Sequence, residues 1–215
     1  MRKFIGRLIM TYKNIILIPE GIIFNEKTTE RAALKNTLKK FNVENFGEKK
    51  DLFNQLFERY INEKRIQRHR LLLTALLPEI ELTDSTAIFY QQLIHQTRLT
   101  KNIQEALSQL TEATNLVIAS FLTSEIIKSR LNNSKLTLEL PTTSLADDSF
   151  GQIITSNNWD PKETLIIGTN LNEEIQQANA ENVDSMWINT GRKVPITPHP
   201  TLHIKKFADC LFYLN

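Results

Sequence analysis

The stretch 14–25 constrains the fold more than any other part of the sequence. Ile15 to Ile18 form a short apolar run rich in β-branched side chains, which predicts a buried strand. Pro19 follows and interrupts the hydrogen-bond ladder, and Gly21 permits a tight turn just beyond the strand. Because ligands of open α/β sheets bind at the carboxyl ends of the strands, this turn marks the expected place of a functional site.

The composition is that of a globular protein. The chain has 215 residues, of which 41% are hydrophobic and 23% charged, enough for one ordinary domain and a smaller one. No apolar run approaches the roughly 18 residues of a membrane span, and residues 1–10 lack the apolar core of a signal peptide. The single cysteine, Cys210, excludes an internal disulfide, so we expect a cytoplasmic protein. The net charge of +2 gives no indication of binding to nucleic acid or a membrane.

Residues 28–107 predict a run of helices, because they contain one glycine and no convincing strand pattern. Apolar side chains recur at helical spacing in the first two predicted helices: Leu34, Leu38 and Phe41, then Leu52, Phe53, Leu56, Phe57, Tyr60 and Ile61. A third apolar stretch ends at Pro78, and Asp84 or Ser85 is the expected N-cap of a fourth helix.

From residue 102 the pattern changes to alternating helices and strands. The predicted strands are 116–119, 136–140, 164–167 and 185–188. A helix marked by Ile103, Leu107 and Leu110 comes first, and the other predicted helices are 124–131, 145–156 and 172–181. Alternation of this kind predicts an α/β fold with a parallel, Rossmann-like sheet flanked by helices.

Two motifs carry a resemblance to a known family. The stretch 14–25 resembles the first motif of the haloacid-dehalogenase-like (HAD) phosphohydrolases, in which four apolar residues precede Asp-x-Asp-Gly-Thr-Leu. The stretch 165–183 resembles their fourth motif, an apolar strand followed by Gly-Asp-Ser-x-x-x-Asp-Ile and a helix. A helical insert directly after the first motif is similar to the HAD subgroup with an α-helical cap. The resemblance implies a HAD-like core at 10–25 and 108–215, a helical cap at 26–107 and an N-terminal extension at 1–9.

The resemblance also assigns chemical roles, one position at a time. The family's nucleophilic Asp, which also binds Mg²⁺, falls on Ile18, and its general acid and base falls on Glu20. The hydroxyl that holds the phosphoryl group matches Ser120. The two fourth-motif carboxylates fall on Thr169 and Glu174. Isoleucine cannot attack phosphorus, and threonine offers no carboxylate to Mg²⁺.

The family's phosphate-neutralising lysine is the remaining position. Alignment through Phe150 and 160–163 places it at Ser144, and Lys135 is the alternative if the intervening loop is rearranged. Three of the family's five chemical roles, those of the nucleophile, the lysine and the metal-binding fourth-motif Asp, thus fall on residues that are incompatible with them: Ile18, Ser144 and Thr169. Loss of the nucleophile alone lowers the rate of a hydrolytic enzyme by about 10⁶-fold.

Charge is distributed unevenly along the chain. Lys and Arg outnumber Asp and Glu by 14 to 11 in 26–107, whereas 108–215 contains 8 against 12, so we expect the two parts to face each other. The cap contains a basic cluster of Lys64, Arg65, Arg68, His69 and Arg70. We interpret it as a solvated helix face, with an acidic partner, the acidic core or RNA as alternatives.

The remaining candidate residues give weaker signals. His199 and His203 have the spacing of a metal-binding pair, but no cysteine or acidic cluster accompanies them, so we expect no metal site. His95 is interpreted as an ordinary helix residue and Cys210 as a core residue. A cysteine nucleophile remains an alternative for Cys210, although no base is identified beside it.

These observations favour a non-catalytic HAD-like protein that binds a small ligand or a protein partner, without a metal or cofactor. The predicted ligand-binding residues are Glu20, Gly21, Ser120, Thr169 and Asn170. The alternative is a HAD-type hydrolase that acts on a small phosphorylated metabolite with Glu20 and Mg²⁺. A third hypothesis is a structural subunit that forms an oligomer through its cap.

Overall fold

The computed structural model describes residues 12–43, 46–146, 148–189 and 197–214, so the predicted extension at 1–9 lies outside it. The strands form one six-stranded sheet. They are β1 (Asn14–Leu17), β2 (Asn115–Ser120), β3 (Thr142–Ser144), β4 (Thr164–Gly168), β5 (Asp184–Ile188) and β6 (Leu202–Ile204).

The strand order is β3-β2-β1-β4-β5-β6, and every pairing is parallel. This topology confirms the predicted α/β class with a Rossmann-like sheet. In the central strand, Leu17 lies beside Ile118 of β2 and Ile167 of β4. The chain adds β2 and β3 on one side of β1 and then β4 to β6 on the other. The carboxyl ends of β1 and β4 therefore flank the switch point where open α/β sheets bind their ligands.

Eight α-helices accompany the sheet in the described residues. They are α1 (Glu26–Lys40), α2 (Phe46–Arg59), α3 (Arg65–Leu76), α4 (Leu82–His95), α5 (Ile103–Ala113), α6 (Ser124–Asn133), α7 (Phe150–Ser156) and α8 (Gln176–Ala180). Five helices, α1 to α5, lie between β1 and β2 in the sequence, and we call α1 to α4 the cap helices because they pack on one another. No helix in the described part of the chain is long and apolar enough to cross a membrane.

The cap helices pack on one another through α1 with α4, α2 with α3, and α3 with α4. Helix α5 instead packs against β2 and the 3₁₀ segment Phe207–Tyr213, so it crosses the cap boundary predicted at 107. Side chains of β1 alternate between two cores. Ile15 and Leu17 belong to the core shared with the cap helices, whereas Ile16 and Ile18 pack on the face covered by α7.

Two element predictions in the second half of the chain are wrong. No strand forms at 136–140, because the chain first reaches β2 at Pro141, whose carbonyl accepts from the Ile118 N–H (2.8 Å). Leu145 does not begin a helix, since its N–H donates to the Ser120 carbonyl (2.7 Å) and extends the pairing. Helix α7 begins at Phe150 behind a Ser149 capping box.

Two further differences concern short features. Helix α4 begins at Leu82 after Glu81, so Asp84 and Ser85 lie in its first turn and neither is its N-cap. The edge strand β6 was not predicted, because three residues are too few for a periodic pattern.

Candidate functional site

The nucleophile position of the resemblance lies in the hydrophobic core. Ile18 follows β1 and is fully buried, packed in the cluster that contains Ile16, Phe150 and Ile166. Its backbone N–H donates to the Ile167 carbonyl at 3.0 Å, which holds it in line with the strand. The isoleucine therefore contributes to core packing.

Glu20 is buried as well, and two donors occupy one of its oxygens. Its Oε1 accepts from Ser120 Oγ at 3.0 Å and from Arg130 Nη1 at 3.1 Å. Arg130 extends from α6, and its guanidinium lies 4.1 Å from the ring centre of Phe24. Burial lowers the pKa of Arg130, whereas Glu20 raises it. The predicted acid/base and the predicted phosphate-holding hydroxyl therefore bond to each other.

Thr169 and Gly21 join the ends of β1 and β4. Thr169 Oγ1 donates to the Glu20 carbonyl at 3.2 Å. Gly21 has a φ of 80°, and a Cβ there would lie 2.9 Å from Thr169 Oγ1. The glycine is therefore required both by its left-handed backbone and by the close approach of the threonine.

Glu174 caps the end of β4 from inside the following turn. Its Oε2 accepts from the backbone N–H of Thr169 (2.7 Å) and from that of Asn170. The turn is a π-helical segment, Leu171–Ile175, which leads into α8. Both Glu173 and Glu174 of this turn are buried. The predicted continuous helix over 172–181 is thus replaced by a wider first turn, a feature often found at functional sites.

An arginine from the cap helices binds these carboxylates. Arg65 begins α3, and its side chain is 1% exposed. Its Nη2 donates to Glu174 Oε1 at 3.0 Å and its Nη1 to Glu173 Oε2 at 2.9 Å. Its Nε donates to Glu26 Oε1 of α1 at 2.6 Å. One guanidinium therefore bridges three carboxylates, two of them in the turn after β4.

A second arginine extends this cluster into the cap. Arg68 Nη2 donates to Glu26 Oε1 (2.6 Å) and to Glu30 Oε1 (2.7 Å), and His69 Nε2 lies 2.9 Å from the same Glu30 oxygen. Burial would raise the pKa of Glu30, but Arg68 and His69 outweigh it and lower the pKa. We call the following set the cap network: Glu26, Glu30, Arg65, Arg68, His69, Glu173 and Glu174.

The basic cluster is therefore not the predicted solvated helix face. Arg65, Arg68 and His69 are buried, and only Lys64 and Arg70 are exposed. Arg65 binds acidic residues of the core, which was one of the alternatives for this cluster. A spacing signal was present, because Arg65, Arg68 and His69 lie at i, i+3 and i+4, the spacing of one helix face.

Opposing effects set the pKa values of the network's carboxylates. Burial raises the pKa of Glu174 to about 7, against the lowering effect of Arg65. Burial also raises the pKa of Glu173, again opposed by Arg65. For Glu26, burial would raise the pKa, but attraction to Arg65 and Arg68 prevails and holds the pKa far below its usual range.

A cleft of about 820 Å³ lies between the cap helices and this edge of the sheet. Of the predicted ligand-binding residues, Gly21, Thr169 and Asn170 line it, whereas Glu20 and Ser120 lie buried beneath. A smaller cleft of about 380 Å³ shares Gly21, Thr100 and Ile188 with the first. Three exposed lysines line the smaller cleft: Lys101, Lys205 and Lys206.

The remaining candidates lie away from these clefts. Ser144 is buried, and its Oγ donates to the Leu122 carbonyl at 3.1 Å, while Lys135 is exposed. Cys210 is buried, and burial raises its pKa to about 12, which disfavours a thiolate nucleophile. In the described ranges, no group of three His, Cys, Asp or Glu side chains is arranged to hold a metal ion.

The residues present do not fit the Mg²⁺ that the resemblance to HAD phosphohydrolases implies. Ile18 and Thr169 supply no carboxylate. Glu20 and Glu174, which do, already accept from buried arginines, Arg130 and Arg65 respectively. Mg²⁺ needs oxygen ligands that are free to approach within about 2.1 Å. Within the described residues Glu20 Oε2 has no hydrogen-bond partner, but Glu20 is buried and does not line the cleft, and each of the two carboxylates is already paired with an arginine.

Comparison with known proteins supports the fold through structure alone. No protein-family model matches the sequence, and no curated protein matches it. The structure is similar to that of YfnB from Bacillus subtilis, a protein assigned as a HAD-hydrolase and solved bound to magnesium, with a TM-score of 0.80 and 20% identity over 95% of this chain and 99% of that one.

Two other solved structures give the same result. The haloacid dehalogenase-like protein SP0104 from Streptococcus pneumoniae matches 95% of this chain and 99% of its own, with a TM-score of 0.72 and 13% identity. A protein assigned as a beta-phosphoglucomutase from Thermotoga maritima matches 94% and 98%, with a TM-score of 0.68 and 11% identity. The chain therefore has the haloacid-dehalogenase-like fold.

Proposed function

We propose that this protein is a non-catalytic member of the HAD-like fold that binds a small organic anion in the adjoining clefts at the carboxyl edge of its sheet. The arrangement at the strand ends carries the proposal: Ile18 packs in the core, and Glu20 is bound by Arg130 and Ser120. Nucleophilic phosphoryl transfer needs a reactive group and a mobile proton carrier that face the substrate. Neither Ile18 nor Glu20 lines the cleft.

The two connected clefts support the choice of ligand. Their combined size suits a small organic molecule, and the smaller one has an apolar floor that includes Ile103 and Phe207. Lys101, Lys205 and Lys206 make no ion pair within the described residues. A carboxylate or phosphate group beside these lysines, with its apolar body on that floor, matches this lining.

The alternative is a hydrolase that acts on a small phosphorylated metabolite, and the HAD-hydrolase neighbours favour it at the level of the fold. In that case Glu20 serves as the proton carrier and magnesium, which the YfnB structure contains, is required. This alternative requires that Arg130 releases Glu20 before the carboxylate can transfer a proton.

Hydrolysis of p-nitrophenyl phosphate in the presence of Mg²⁺ separates the two functions. The wild type is compared with Glu20→Gln, which keeps an oxygen acceptor for Arg130 but removes the proton carrier. We expect no rate in the wild type above that of the variant. Turnover that needs Mg²⁺ and disappears in Glu20→Gln would establish the hydrolase instead.

Binding is tested by calorimetry with phenyl phosphate and with phenylacetate. Replacing Lys101, Lys205 and Lys206 together by Gln should weaken binding at least about tenfold, because each charge-assisted hydrogen bond contributes roughly 1.5 kcal/mol or more. The control replaces Lys128, Lys135 and Lys162, exposed lysines elsewhere on the chain, and should leave the affinity unchanged. Equal loss in both triple variants, or no binding in the wild type, contradicts the proposed site.

A further inference from the structure

We infer that Arg65 takes the place of a divalent cation at this site and thereby holds the cap helices closed on the sheet. Arg65 lies at the start of α3, and the carboxylates of Glu173 and Glu174 lie in the turn after β4. This concerns how the site's charge is balanced, so it holds whether or not the cleft binds an anion.

The guanidinium has the connectivity of a bridging cation. Each of its three nitrogens donates to a different carboxylate: Nε to Glu26, Nη1 to Glu173 and Nη2 to Glu174, at 2.6, 2.9 and 3.0 Å. The backbone N–H of Arg65 also lies 3.1 Å from both oxygens of Glu173. The planar guanidinium has several donors in fixed directions. It therefore orients several carboxylates more specifically than a point charge would.

These bonds engage both oxygens of Glu174. Oε1 accepts from Arg65, and Oε2 accepts from the backbone N–H groups of Thr169 and Asn170. A divalent cation at Oε1 would lie beside the guanidinium, and repulsion between the two positive charges disfavours binding of both. In the wild-type chain the arginine and the metal therefore compete for the same carboxylate.

The same bonds join the cap helices to the core. Asn170 Nδ2 donates to the Glu63 carbonyl at 2.8 Å, two residues before Arg65, so two adjacent links close this side of the cleft. The side chains of Arg65 and Glu174 are 1% and 0% exposed. Opening the cap would leave buried charges without their partners, which is far more unfavourable than separating an exposed pair.

The test uses the full chain with nitroxide labels on Gln55→Cys of α2 and Thr155→Cys of α7, both exposed, while buried Cys210 stays in place. We expect one narrow distance in the otherwise wild-type protein, unchanged by millimolar Mg²⁺. Arg65→Met should broaden the distance distribution towards longer values and lower the Tm by about 10 °C. Arg70→Met, an exposed arginine on the same helix, should change neither.

Metal binding gives an independent readout. Mg²⁺ should raise the Tm of Arg65→Met, in which the carboxylates are released, and should leave the Tm of the wild type and of Arg65→Lys unchanged, because both retain a cation. If Arg65→Met does not fold, calorimetry of Mg²⁺ with the wild type still tests the inference, because the wild type should not bind Mg²⁺. Heat of Mg²⁺ binding to the wild type, an unaltered distance in folded Arg65→Met, or an equal Mg²⁺ response in the Lys and Met variants would overturn the inference.

Discussion

Two of the buried carboxylates at the carboxyl edge of the sheet, Glu20 and Glu174, are paired with arginines from different parts of the molecule. Glu20, after β1, is bound by Arg130 from α6, a helix that follows β2 in the core. Glu174, after β4, is bound by Arg65 from α3, one of the cap helices. Both pairs are almost completely buried. They differ in whether the pair connects two structural units or lies within one.

This difference shows that similar ion pairs have different consequences. Breaking either pair leaves an uncompensated buried charge, so both affect stability. Of the two arginines, Arg65 has partners on both sides of the cleft, in α1 and in the turn after β4, so we expect its loss to affect the position of the cap helices as well. Stability and cap position can therefore be separated by experiment.

The largest loss of stability is expected for Arg130→Met. The substitution leaves Glu20 buried without its cation and removes the guanidinium that stacks on Phe24. We expect the free energy of unfolding to fall by about 3–5 kcal/mol, as measured by urea denaturation. The distance between labels at 55 and 155 should not change, in contrast to Arg65→Met. A longer distance would show that the two pairs act alike.

The double variant Glu20→Met/Arg130→Met is the control for that change. With both charges removed, no buried ion lacks a partner, so much of the lost stability should return. If the double variant is as unstable as Arg130→Met, packing rather than unpaired charge causes the loss.

Glu26→Gln is expected to have a smaller effect than Arg130→Met. Glu26 Oε1 accepts from both Arg65 and Arg68, and a glutamine oxygen keeps these bonds without the charge. We expect a loss of about 1–2 kcal/mol at pH 7. Because the pKa of Glu26 is lowered on folding, its contribution is present above pH 4.5 and lost as the pH falls. The difference between variant and wild type should therefore shrink in acid; a constant difference would contradict this.

Glu174 should produce the opposite pH dependence. Burial raises its pKa from 4.5 to about 7, so the folded protein binds more protons than the unfolded chain between these values. The free energy of unfolding should therefore fall by about 1–3 kcal/mol as the pH rises from about 5 to about 7.5. Thermal unfolding across this range measures the slope. Glu174→Gln should flatten it, and an unchanged slope in that variant would assign the effect to another group.

The smallest effect is expected at an exposed ion pair. Lys13 Nζ lies 2.6 Å from Glu163 Oε1, but their side chains are 65% and 38% exposed. Lys13→Gln should change the free energy of unfolding by about 0.5 kcal/mol or less, because water already solvates both charges. A loss of stability as large as that of Glu26→Gln would show that burial does not explain the larger contribution of the buried pairs.

Much of the fold could be predicted from local sequence. The β-branched runs of β1 and β4 and the helical spacing of α1 and α2 are local patterns, and strands and helices formed there. The strand predicted at 136–140 from its alternating leucines was wrong, because the chain pairs with the sheet only from Pro141 onwards. Whether such a segment forms a strand depends on its pairing with a distant strand.

The candidate site shows the same difference between what local sequence predicts and what depends on long-range contacts. The amino-acid sequence is enough to establish that residues 18 and 169 carry no carboxylate, because side-chain identity requires no knowledge of neighbours. Which charges pair depends on how the chain packs in three dimensions. Arg65 and Glu174 are 109 residues apart, and Arg130 and Glu20 are 110 apart. Local periodicity in the sequence does not predict such a pairing, because burial and charge compensation arise only when helices from separate parts of the chain pack together.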